Sequence, residues 1–146
     1  MQSSHFFSSA FPPTVRKALG LLAVGWISLL AFIYHIHVTF PGTINSNNAI
    51  RVTLVGLGIC YFVYKIKPWA RSLCIFFNLG IIVINGLFLF IRISSLGLSS
   101  FALSFHALMN CLFFALCTYY LLAKPTAAFY KEHAATSRKD HATEDQ

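Results

Sequence analysis

The chain has 146 residues, 57% of them hydrophobic and only 10% charged, where a soluble globular protein carries about 45–50% and about 25%. All four acidic residues, Glu132, Asp140, Glu144 and Asp145, follow the last hydrophobic run, so carboxylate proton relays, carboxylate-bridged metals and paired-carboxylate hydrolysis have no acid at membrane depth. The net charge of +7 comes from cations that border hydrophobic runs instead of covering a soluble face with interleaved aromatics, which fits membrane orientation and argues against nucleic acid as a partner.

Residues 1–15 carry no charged side chain and end near Pro12-Pro13, which resists helix; they read as a short mobile lead-in. After Arg16-Lys17, residues 18–38 hold no Asp, Glu, Lys or Arg and suffice for the roughly 30 Å hydrocarbon core of a bilayer. This run is expected to stay as a helix, because it exceeds the usual ~7–15 residues of a cleaved signal and no small-x-small site follows it. Phe40-Pro41-Gly42 breaks it, and a polar connection leads to a second span over 49–66, whose Arg51 can snorkel to the interface.

Lys65, Lys67, Trp69 and Arg71 then place three cations and an indole between two hydrophobic runs, and read as an interfacial anchor with lipid or partner docking as the functional alternative. A third span is expected over 73–91, a Gly/Ser-rich turn over 94–100, and a fourth span over 101–123. Pro125 opens a short surface helix, and the mixed charges of 136–146 read as a disordered tail. The sequence thus predicts an all-α, polytopic membrane protein: a four-helix transmembrane domain over 1–135, with a short C-terminal cytoplasmic helix, followed by the tail.

Nine cations (Arg16, Lys17, Lys65, Lys67, Arg71, Lys124, Lys131, Arg138, Lys139) fall on one side of this topology and two, Arg51 and Arg92, on the other. The positive-inside rule puts both termini in the cytoplasm.

At 100° per residue, His35, Ala31, Ser28 and Val24 share one stripe of the first span and are expected to face the bundle, with Trp26 and His37 on another. The same rule turns Thr53, Gly56 and Cys60 inward from the second span. It turns Cys74, Asn78, Asn85 and Arg92 inward from the third, and His106, Asn110 and Cys117 from the fourth. His35, Asn78, Asn85, His106 and Asn110 form a candidate buried polar seam. Asn85 and Asn110 come within about 1–2 Å in depth, and His35 and His106 both lie roughly 9–11 Å toward the outer face, so each pair can meet. Amides there read first as helix glue, and the imidazoles as neutral groups that hydrogen-bond nearby. Cys60, Cys74, Cys111 and Cys117 lack metal or redox spacing and read as small apolar fillers.

The segment Lys67-Pro68-Trp69-Ala70-Arg71, followed by Leu121-Leu122-Ala123-Lys124-Pro125 and Phe129, resembles a pattern of small uncharacterised four-helix bacterial inner-membrane proteins. In those, a Trp-x-Arg turn links spans two and three, and a Leu-Leu-x-Lys/Arg-Pro segment with a downstream Phe closes the last. The resemblance implies a bacterial inner membrane and no particular activity.

With no nucleophile-base-acid set, the sequence assigns no catalytic, cofactor-binding or metal-binding residue and no cofactor. The expected function is a non-enzymatic accessory or assembly protein acting in the lipid bilayer through membrane partners or as a homo-oligomer. The alternatives are a small transporter or channel subunit using the Asn-lined seam, and a haem- or metal-binding membrane subunit using the histidines.

Overall fold

A computed structural model describes residues 11–42, 45–96 and 101–144 of the chain. Its elements are five α-helices: α1 (Pro13–Thr39), α2 (Ser46–Tyr64), α3 (Pro68–Leu96), α4 (Phe101–Leu122) and α5 (Lys124–Glu144). Most of the expected lead-in, part of the first connection, the end of the Gly/Ser-rich turn and the last two residues lie outside the described residues.

The helix limits follow local chemistry. Pro12 is held extended by the proline after it, and Pro13 occupies the first helical position, where its missing N–H leaves no bond unmade. Gly42 takes φ 87° just past the end of α1. Asn45 caps α2, its side chain accepting from the Asn47 N–H at 3.0 Å.

At the other end of α2 the Lys67 N–H donates to Phe62 O at 3.2 Å and the Ile66 N–H to Val63 O at 3.1 Å. These are the paired bonds of a Schellman turn, with Ile66 at φ 55° where glycine is usual. Pro68 then starts α3.

Side-chain bonds fix the register. Cys117 meets Ala18 O, Ser28 meets Asn110 and His35 meets His106, so α1 and α4 run antiparallel. Arg71 with Leu121, Asn78 with Thr118 and Asn85 with Asn110 make α3 and α4 antiparallel as well. These three helices form the tightest part of the bundle, and α2 packs at the side against α1 and α3. The inward faces carry Leu22, Trp26, Leu29 and Phe32 from α1, Ile59 and Val63 from α2, Ile81 from α3, and Phe114 and Leu121 from α4. Large apolar side chains such as Ile27, Phe76, Ile84 and Phe90 point away from it.

The inward stripe of α1 differs from expectation. Val24 is 46% exposed and Ala31 exposed, whereas Trp26 is only 7% exposed. The reason is the partner: Gly56 of α2 leaves a gap that the Trp26 indole fills, stacked on Phe77 and edge-on to Phe114 with ring centroids 5.9 and 6.1 Å away.

On α4, Ala107 is buried while Ala115 faces outward. The C-terminal helix is also longer than the short helix expected, because Ala134, Ala135, Arg138 and Lys139 favour continuing it.

Three helical segments among the described residues are long and apolar enough to cross a membrane: Pro13–Thr39, Pro68–Ser94 and Phe101–Leu122. Four were expected. The 19-residue α2 does not join them by composition, since Asn47, Asn48, Arg51 and Thr53 crowd its first two turns.

Candidate functional site

The five seam residues do not form one continuous line; they meet at three levels. In the middle, the Ser28 hydroxyl on α1 donates to Asn110 Oδ1 on α4 at 2.6 Å, and Asn110 Nδ2 donates to Asn85 Oδ1 on α3 at 3.3 Å. Asn85 Nδ2 closes the chain on Ile81 O at 2.9 Å. Both amides are buried, so each bond replaces water that the interior cannot supply.

Roughly 10 Å away along α3, at ~1.5 Å per residue, Asn78 Nδ2 donates to Thr118 Oγ1 at 3.2 Å. The Thr118 hydroxyl donates to Phe114 O at 2.8 Å. Cys74 Sγ approaches Asn78 Oδ1 at 3.9 Å, and Cys117 lies beside Cys74 while donating to Ala18 O at 3.4 Å.

At the third level the His35 and His106 rings stand edge to face with centroids 5.4 Å apart. Both are half-buried, and the His106 Nδ1–H donates to Ala102 O at 2.8 Å. Nearby, the Arg92 guanidinium sits 5.9 Å from the Phe88 ring, which packs on Phe32. Two imidazoles supply half of a tetrahedral metal set, and among the described residues no three His, Cys, Asp or Glu side chains gather to complete one.

The basic turn lies at the opposite end. There the start of α1, the α2–α3 turn, the end of α4 and α5 converge: Thr126 donates to Thr14 at 3.0 Å, Tyr130 donates to Val63 O at 2.7 Å, and Phe11 packs between Tyr64 and Phe129. Arg71 is half-buried and its Nε–H donates to Leu121 O at 2.9 Å, filling one of the carbonyls that the end of α4 leaves open. Lys65 and Lys67 are exposed, Lys65 Nζ lying 5.7 Å from the Tyr61 ring. Trp69 is 53% exposed and packs on Phe62 at 5.0 Å. A groove of about 480 Å3 opens between this turn and His133 of α5.

Sequence reasoning missed Thr118, Thr126 and Tyr130 as buried polar partners. Thr118 had a usable signal, since it follows Cys117 and falls eight residues after Asn110 on the same face of α4. Comparison with protein-family models, curated sequences and solved structures finds no match for this chain.

Proposed function

We propose that the protein is a four-span integral membrane protein with both termini on the cytoplasmic side of a bacterial inner membrane, and that it is a non-enzymatic accessory or assembly subunit acting through partners in the bilayer. The observation that carries this reading is the chain of bonds from Ser28 through Asn110 and Asn85 to Ile81 O. A conduction path or ligand site keeps polar atoms available to a solute; here the amides are engaged with one another and lock three helices together.

The fourth span is α2. Its 19 residues reach about 28 Å, close to the roughly 30 Å core, and Gly56, Ile59 and Val63 seat it in the bundle while Arg51 lies near its far end. The excess of cations at the Lys65–Arg71 end supports the orientation. The bacterial setting rests on the resemblance of the Trp69-Ala70-Arg71 turn and the Leu121–Pro125 segment.

Photo-crosslinking in native membranes from positions on the outward faces, followed by mass spectrometry, is expected to recover a discrete membrane protein or a second copy of the chain. Solute flux in proteoliposomes that disappears in Asn85→Leu and Asn110→Leu would replace this reading with a transporter. Reporter fusions after Asn45 and Ser95 are expected to behave as exported and those after Trp69 and Lys139 as cytoplasmic; export at Trp69 would overturn the four-span topology.

A further inference from the structure

The groove at the basic turn is built from groups that suit one ligand chemistry. Lys65 and Lys67 flank it on one side, Pro68 and Trp69 begin α3 at its floor, and the His133 ring, packed 4.2 Å from Phe129, walls the α5 side. Among the described residues no acidic side chain lines it. The first turn of α3 adds the positive end of a 29-residue helix to the two ammonium groups. The Schellman turn fixes the backbone between the two lysines, and the Tyr130 hydroxyl on Val63 O holds α5 against it.

The surroundings distinguish a tethered phosphate from a free one. Tyr61, Phe62 and Trp69 are exposed aromatics beside the groove, as at a bilayer interface. From Tyr61, the exposed side chains of Leu57 and Leu54 continue along one face of α2, an apolar track that starts next to the lysines.

We infer that this groove binds the phosphate of an anionic phospholipid in the leaflet it faces, with Lys65 and Lys67 as its charge partners and the acyl chains lying along Leu54, Leu57 and Tyr61. This goes beyond the accessory function and rests only on α2 and α3 as membrane spans. A lipid held here would bridge the α2–α3 turn to α5.

The test uses full-length protein in vesicles of equal parts phosphatidylcholine and phosphatidylglycerol, with one lipid or the other brominated on its acyl chains. Of the two tryptophans Trp26 is buried, so quenching reports on Trp69. Stronger quenching by brominated phosphatidylglycerol is expected. Lys65→Gln with Lys67→Gln is expected to reduce the relative affinity for the anionic lipid by roughly 30-fold, whereas Lys131→Gln, an exposed α5 lysine outside the groove, retains it.

Equal quenching by both lipids in the unaltered protein, or an equal loss in Lys131→Gln, would overturn the site. Displacement by added inorganic phosphate would overturn its assignment to a lipid. Quenching is read without reference to sidedness, so a failed topology test and a failed lipid test are separate results.

Discussion

Gly56 lies where α2 crosses the Trp26 indole, and a Cβ at that position would fall onto Cη2, Cζ2 and Cζ3 of the ring. The ring is itself held between Phe77 and Phe114, so it has nowhere to retreat without moving α1, α3 or α4. Overpacking of this kind costs about 1–3 kcal/mol. Gly→Ala in a helix interior also gains about 0.8–1.0 kcal/mol of propensity, which hides part of that cost.

Gly58, two residues along the same helix, supplies the control, because a Cβ there meets nothing within 4 Å. Subtracting Gly58→Ala from Gly56→Ala cancels the propensity gain and leaves the steric cost, about 1–3 kcal/mol. Unfolding in mixed micelles, followed by tryptophan fluorescence, measures both, and alkylation of half-buried Cys60 reports whether α2 has lifted. Trp26→Phe in the Gly56→Ala background is expected to restore most of the loss. The smaller ring makes room, and it removes an indole Nε1 that is buried without an acceptor in the native packing. Equal stability of the two alanine variants, or no recovery with Trp26→Phe, would refute the packing of α2 on α1 described here.

Asn85→Leu and Asn110→Leu are each expected to lower detergent stability, Asn110→Leu more so because it strands both Ser28 and Asn85; a double-mutant cycle between the two amides should give about 0.6–1.7 kcal/mol of coupling. Tyr130→Phe should cost about 1 kcal/mol by removing the bond to Val63 O. Burial pushes the Tyr130 phenol above its ordinary value, so its stabilisation is full below about pH 10 and declines as pH rises further, a decline that unfolding midpoints should lose in Tyr130→Phe. Protein purified from haem-replete and metal-replete cells is expected to be colourless and metal-free; a Soret band or stoichiometric metal lost in His35→Ala and His106→Ala would refute a packing role for the two imidazoles.

The inward face of α3 was legible because Cys74, Asn78 and Asn85 stand out in an otherwise apolar run, and all three are buried. The depth estimates that paired Asn85 with Asn110, and His35 with His106, needed only helix rise and antiparallel order. The face of α1 was not legible for the converse reason. In lipid both faces of a helix are apolar, so hydrophobic periodicity loses contrast, and small residues were the remaining cue. That cue failed at Trp26 because the small residue at the contact is Gly56, on the other helix. The docking of α5 was hidden because the polar partners of Thr126 and Tyr130 lie 112 and 67 positions away in the chain.

The shape of the basic turn at Ile66 is tied to α5. A β-branched residue at φ 55° is rare, and the left-handed region costs an L-residue roughly 1–2 kcal/mol that glycine would not incur. Glycine, however, would give up the half-buried Ile66 side chain, which packs against the core, so the two effects nearly cancel. A turn so balanced keeps its shape through its neighbours. The Val63 carbonyl accepts both the Ile66 N–H and the Tyr130 hydroxyl, one bond internal to the turn and one from α5. Arg71, one helical turn into α3, reaches across to the end of α4 just before α5 begins. Loosening α5 therefore removes the Tyr130 bond to the turn's Val63 carbonyl, so the placement of Lys65 and Lys67 on their side of the groove depends on a helix far along the chain.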